Sequence, residues 1–160
     1  MVAIRRMRVE DLGDVGDIWN PVIRNTAATF TTEEKDEPGL IAWLAGDGPR
    51  LVAAEGPGAV MGFAAAGPFR PGPGYRFTWE TTVHVAAAAR GRGVGRALME
   101  ALAAELRARG GHAMIAAISG ENPRAVAFHA RLGFAEAGRI AEAGCKFGRW
   151  LDLVLMRRGL

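Results

Sequence analysis

Cysteine is almost missing from this chain, with Cys145 the only one among 160 residues. A lone thiol excludes an intrachain disulfide and fits a reducing compartment, while a bond to another molecule stays formally open. Long apolar runs are also lacking. Nothing approaches the ~20 residues that a bilayer span requires, and MVAIRRMRVEDL carries charges where a secretory leader would be apolar, so a cytoplasmic protein without a membrane partner is expected. The three histidines, His84, His112 and His129, have no partners at ligand spacing, and no metal is expected. A Ser-His-Asp order is likewise absent. There is no internal repeat, low-complexity tail or linker, and the length suits one domain over residues 1–160.

What is present is unevenly distributed. Residues 1–60 hold 6 Lys+Arg against 10 Asp+Glu, whereas residues 61–160 hold 14 against 7, so the second part is basic. The arginines are mostly scattered and lysine is rare, which speaks against a nucleic-acid-binding stripe; no nucleic-acid partner is expected. A local cluster does form around Arg90, Gly91, Arg92, Gly93, Val94, Gly95 and Arg96, between the strand-like FTWETTVHV and the helix-like LMEALAAELRAR. Glycines there let main-chain N–H groups approach a ligand, and the following helix points its positive end the same way, which makes an anion cradle. A Walker loop would need Lys and then Ser or Thr after Gly95, and a dinucleotide fingerprint would need Gly where Arg96 stands.

Along the chain, Ile4 to Val9 reads as a strand, and Asp11 is placed to cap a helix through Leu12, Val15, Ile18, Trp19 and Val22. Residues 24–32 read as a loop, followed by a short acidic-started helix from Glu33 to Glu37 onward. RLVAAE and AVMGFAAAG form an expected β-hairpin, and PFRPGPGYR a loop into the central strand. Asn122-Pro123 begins another helix that contains His129, and the tail gives two strands separated by CKFGRW. Alternating strands and helices with hairpins at both ends predict a mixed α/β sheet with helices on both faces.

These motifs together resemble one branch of the GCN5-related N-acetyltransferase (GNAT) superfamily, the phosphinothricin and methionine sulfone/sulfoximine acetyltransferases. NTAATF, GPFRP with YRFTWE, VHV before RGRGVGRAL, ENPRAVAFHARLGF and KFGRWLDLVLM carry the resemblance in order and spacing. It implies the GNAT fold: a mostly antiparallel mixed sheet, splayed between strands 4 and 5. It also implies acetyl-CoA as cosubstrate, with pantetheine on the strand edge Val83, His84, Val85, pyrophosphate on Gly91 to Arg96, and Asn122 beside the pantetheine arm. Capping the helix is the rival role for Asn122.

The resemblance makes Glu80 a general base and His129 a second proton-transfer group. The alternatives are an ion pair of Glu80 with Arg70 or Arg76, and a His129 bonded to backbone on an apolar helix. Phe30, Arg70, Tyr75 and Lys146 would surround the small-molecule amine acceptor, with Lys146 reaching across a dimer interface as one arrangement. Many relatives carry a second arginine where Gly72 stands. A homodimer is implied as well. The rival functions are acetylation of another amine, such as a protein N-terminus or an antibiotic, and a non-catalytic CoA-sensing or nucleic-acid-binding module.

Overall fold

A run of alternating residues buries one face against each of two helix layers, and this organises the fold. The computed structural model describes residues 1–56 and 58–160. Among them, strands β1 (Ala3–Arg6), β2 (Arg50–Ala54), β3 (Val60–Pro68), β4 (Thr78–Val85), β5 (Ala113–Ser119), β6 (Ala135–Lys146) and β7 (Arg149–Gly159) form one sheet in the order β1-β2-β3-β4-β5-β7-β6. All neighbours are antiparallel except β4 and β5. Helices α1 (Leu12–Asn25) and α2 (Glu37–Leu44) cover one face through Val15, Trp19, Ile23 and Leu40 on Val52 and Phe63. Helices α3 (Val94–Ala108) and α4 (Pro123–Arg131) belong to the other layer, where Leu98, Met99, Leu102 and Leu106 pack on Leu51, Ala64 and Met114.

The parallel pair is short, and its shortness opens the sheet. β4 and β5 pair only from Thr78 with Ala113 to Thr81 with Ala116. Thr81 closes that ladder with an Oγ1 donating to the Ile115 carbonyl at 3.3 Å. Beyond it, Thr82 to Val85 pair only with β3, and Ala117 to Ser119 pair only with β7. This is the splay the sequence resemblance implies. It leaves main-chain groups of β4 without strand partners on one side, and such groups need hydrogen bonds from elsewhere.

Three local expectations shift. The first strand ends at Arg6 because Asp11, expected as a helix cap, instead accepts from the Arg8 N–H at 2.8 Å and from both terminal nitrogens of Arg5 at 2.7 Å, which folds Val9–Asp11 into a 3₁₀ turn. The second helix starts at Glu37 rather than Glu33, with Asp36 accepting from the Gly39 N–H and Pro38 in the first turn. Asn20 holds the preceding segment by bonding both the N–H and the carbonyl of Lys35. The tail loop contracts to Phe147-Gly148, both at positive φ, because β6 and β7 pair up to Lys146 with Arg149.

Candidate active site

The glycine loop owes its glycines to two different causes. Gly91 and Gly93 have φ of 75° and 80°, a conformation L side chains resist, and a Cβ on either would meet open space. Gly95 is different. A Cβ there would come within 3.2 Å of the Phe128 ring, so that glycine lets α3 pack on α4. Gly93 is the N-cap of α3 and offers no capping side chain, so the first N–H groups of the helix have no partner within it. No acidic residue occupies that first turn, and Arg90, Arg92 and Arg96 surround it. The donors fit a pyrophosphate. Arg90 Nε reaches back to the Val85 carbonyl at 3.3 Å, and Arg92 lies 3.5 Å from Glu55.

Strand parity decides which way β4 presents its chemistry. Trp79, Val83 and Val85 pack toward α3, whereas His84 lies against Trp19 and Phe63 on the α1 side, at 5.8 and 5.4 Å between ring centroids. Burial, reinforced by Arg90, pushes the His84 imidazole down to about 4, so it is a neutral core residue whose main chain is the part left for a ligand. Glu80 shares the parity of His84 and lines a cleft of about 360 Å³ with Thr82, Gly67, Arg50, Asp47 and Trp43. Its carboxylate has no ion-pair partner among the described residues, and desolvation raises it above the ordinary carboxylate range. Arg76 is engaged elsewhere, donating to the Pro73 carbonyl and lying over the Phe77 ring.

His129 is buried between Phe128 and Phe134, and its Nδ1 lies 2.8 Å from the Ala125 carbonyl. Donation there leaves the lone pair on Nε2. Desolvation lowers this imidazole, so the neutral ring has an acceptor to offer and no spare proton. The backbone bond weighed against a site role is therefore present. Asn122 caps α4, with Oδ1 accepting from the Ala125 N–H, and its amide nitrogen has no hydrogen-bond partner among the described residues.

The remaining sequence candidates fall into two groups. Phe30 lies directly on Gly144, and Lys146 donates to the Thr29 carbonyl at 2.9 Å, so the loop after α1 is fastened to β6 within one chain. Lys146 is only 2% exposed and has no carboxylate partner among the described residues; burial lowers its amine. Arg70 and Tyr75 sit on the exposed loop before β4, which leaves the cleft at Pro68, and they do not themselves line it. Gly72 there has φ 103°, a conformation that disfavours any other residue. Sequence reasoning missed Arg50, Trp43 and Asp47. A signal existed in Arg50, the one cation opening the otherwise apolar RLVAA strand.

Comparison with known proteins agrees with this geometry. The family model for the acetyltransferase (GNAT) family matches residues 17–134. An L-methionine sulfoximine/L-methionine sulfone acetyltransferase from Pseudomonas paraeruginosa is 40% identical, over 99% of this chain and 94% of its own. Among solved structures, a phosphinothricin acetyltransferase of the GNAT superfamily from Sinorhizobium meliloti, in complex with AcCoA, superimposes with a TM-score of 0.92 at 34% identity, covering 99% and 88% of the two chains. A ribosomal-protein-alanine N-acetyltransferase from Brucella melitensis does so at 0.93 with 40% identity and 99% coverage of both. With its sheet splayed beyond Thr81, its glycine loop at the start of α3 and a full-length likeness to these enzymes, the chain belongs to the GNAT family of acetyltransferases.

Proposed function

We propose that this protein acetylates the amino group of a small amino-acid-like acceptor, of the methionine sulfone, methionine sulfoximine or phosphinothricin type, using acetyl-CoA. The observation that carries the reading is Glu80, an unpaired carboxylate raised by desolvation and placed beside the opening of the sheet. Acetyl-CoA supplies the activated acyl carbon. The free N–H groups of Gly91 to Arg96 and the neighbouring arginines hold its pyrophosphate, the main chain of Val83 to Val85 holds the pantetheine arm, and Asn122 contacts the same arm with its amide nitrogen.

A free α-amino group has a pKa of about 8 and is mostly protonated at pH 7, so a base is needed before it can attack. Glu80 takes that proton, directly or through water. His129 is the second proton group; as a neutral ring bonded through Nδ1 it accepts a proton at Nε2. Phe30 and Lys146 build one wall of the acceptor site, and Arg70 and Tyr75 hold the far end of the acceptor. The protein acts in the cytoplasm as a homodimer, joined through the apolar side chains that β6 and β7 expose, Ile140 and Trp150 with Phe147 at their turn.

The test is an acceptor screen with acetyl-CoA that reads thiol release. Methionine sulfone and sulfoximine should be used at least as well as phosphinothricin, because Gly72 cannot supply the second arginine that would answer the phosphinate charge. Strong preference for phosphinothricin overturns that ranking. A peptide bearing a free N-terminus belongs in the screen. Release with the peptide alone would favour the activity named for the Brucella relative, and thermal protection by CoA without release from any amine would favour a sensing module.

A further inference from the structure

We infer that Arg50 is the carboxylate anchor of the acceptor site, reading the acid end of an amino acid whose amine faces Glu80. The inference rests on the proposed function and adds the residue that selects α-amino acids over plain amines. Register places it. Arg50 pairs with Ala65, Ala65 with Thr82, and the next rung on that face is Gly67 with Glu80, so arginine and glutamate look into the same cleft across a floor of small residues. Strand spacing of about 4.8 Å and rise of about 3.4 Å per residue put their Cα atoms roughly 12 Å apart. They form no ion pair, and an amino acid can bridge between them.

The guanidinium is fixed before any ligand arrives. Its Nη1 donates to the carbonyls of Asp47 and Gly48 at 2.8 and 2.6 Å, and its Cζ lies over the Trp43 ring, 5.1 Å from the centroid. Its Nη2 makes no hydrogen bond among the described residues, and its Nε is buried without an acceptor. A buried donor left unpaired is costly, and the half-buried guanidinium lines an open cleft that a carboxylate can enter. Three arginines, Arg6, Arg50 and Arg109, line a smaller hollow behind it, where Glu105 pairs with Arg6 at 3.2 Å and with Arg109 at 3.8 Å. Among the described residues, Arg50 alone of the three has no ion-pair partner, and Asp47 acts on it only from beyond ion-pair distance.

Burial lowers the Arg50 guanidinium; Asp47 opposes that shift and Arg109 adds to it. A bound anion would relieve both the desolvation and the like charge. The cleft also holds the Asp47 carboxylate, which disfavours a simple anion. One cation with two carboxylates, Asp47 and Glu80, instead matches a zwitterion with an ammonium group.

The experiment compares methionine sulfone with its decarboxylated amine and its carboxamide, in wild type, Arg50→Gln, Arg50→Lys and Arg70→Gln. Wild type should prefer the free acid in kcat/KM by at least about tenfold. Arg50→Gln should raise KM for the acid by roughly ten- to a hundredfold, the range that charge-assisted hydrogen bonds span, and remove the preference. Its KM for acetyl-CoA, held by other elements, should stay within about twofold of wild type, and Arg50→Lys should recover part of the preference. Arg70→Gln should keep the acid-to-amine ratio even where it lowers both rates. A preference lost in Arg70→Gln and kept in Arg50→Gln overturns the assignment. If Arg50→Gln does not fold, the other two comparisons decide it: equal use of acid and amine by wild type, or loss of the preference in Arg70→Gln, removes Arg50 from the site. Acetylation of none of these acceptors sinks the proposed function and this anchor together, whereas equal acetylation of all leaves the function standing and removes only the anchor.

Discussion

A carboxylate that takes a proton must first have lost its own, so the raised Glu80 carboxyl becomes a statement about rate. Activity should fall as pH drops through that raised value, with the acidic limb of kcat/KM lying above the ~4.3 of an ordinary glutamate. Glu80→Gln should cut turnover by roughly 10²–10⁴-fold at neutral pH while acetyl-CoA still raises the melting temperature. Unchanged activity across pH 6–9 in that variant would return Glu80 to a structural role. The stability sign runs opposite to the rate. Glu80 is exposed and only partly desolvated, so its raised carboxyl favours folding slightly in its protonated form, and that small contribution is lost as pH rises through the folded value; Glu80→Gln should therefore be no less stable than wild type at neutral pH. At Gly93, an aspartate would place a negative charge beside the free amides of α3 in a strained φ of 80°. Gly93→Asp should abolish thermal protection by acetyl-CoA, and full protection in a folded variant would show that the phosphates bind elsewhere.

At the scale of elements, the loop between α1 and α2 depends on two contacts with β6. Phe30 occupies the space that a side chain on Gly144 would fill, and the Lys146 amine reaches the Thr29 carbonyl. Gly144→Ala should push Phe30 off the strand, raising KM for the acceptor severalfold while the acetyl-CoA melting shift persists, because the glycine loop lies on other elements. Equal KM values in wild type and variant would show that Phe30 does not line the acceptor path. Periodicity made α3 and β4 legible, since the buried residues of α3 recur about every 3.6 positions and the apolar Trp79, Val83 and Val85 fall on one parity of β4. The fastening of residues 29 and 30 to 144 and 146 joins segments more than a hundred positions apart, and no local pattern encodes it.

At the scale of the whole molecule, the exposed apolar side chains are concentrated unevenly. Trp150 is 67% exposed and Phe147 55%, both on the β6–β7 hairpin, and such side chains left in water favour association. Light scattering should give twice the 17.0 kDa chain mass, and Trp150→Glu should reduce it toward a single chain. A monomeric wild type would remove the dimer from the proposal. The resemblance placed the glycine loop, the strand that carries Glu80 and the acceptor type from residues that are contiguous in the chain, because spacing along a backbone is a local property. Gly91 and Gly93 stand at the positive φ that a tight loop needs, and Asn122 caps its helix, as their residue types imply. Other features were decided only by folding. Asp11 turned from helix cap to partner of Arg5 because β1 brought the guanidinium within 2.7 Å, and Glu80 stayed free of Arg76 because that arginine found the Pro73 carbonyl. Arg50 entered the Glu80 cleft through the register of β2, β3 and β4, which hydrogen bonds between distant segments set and no single segment contains.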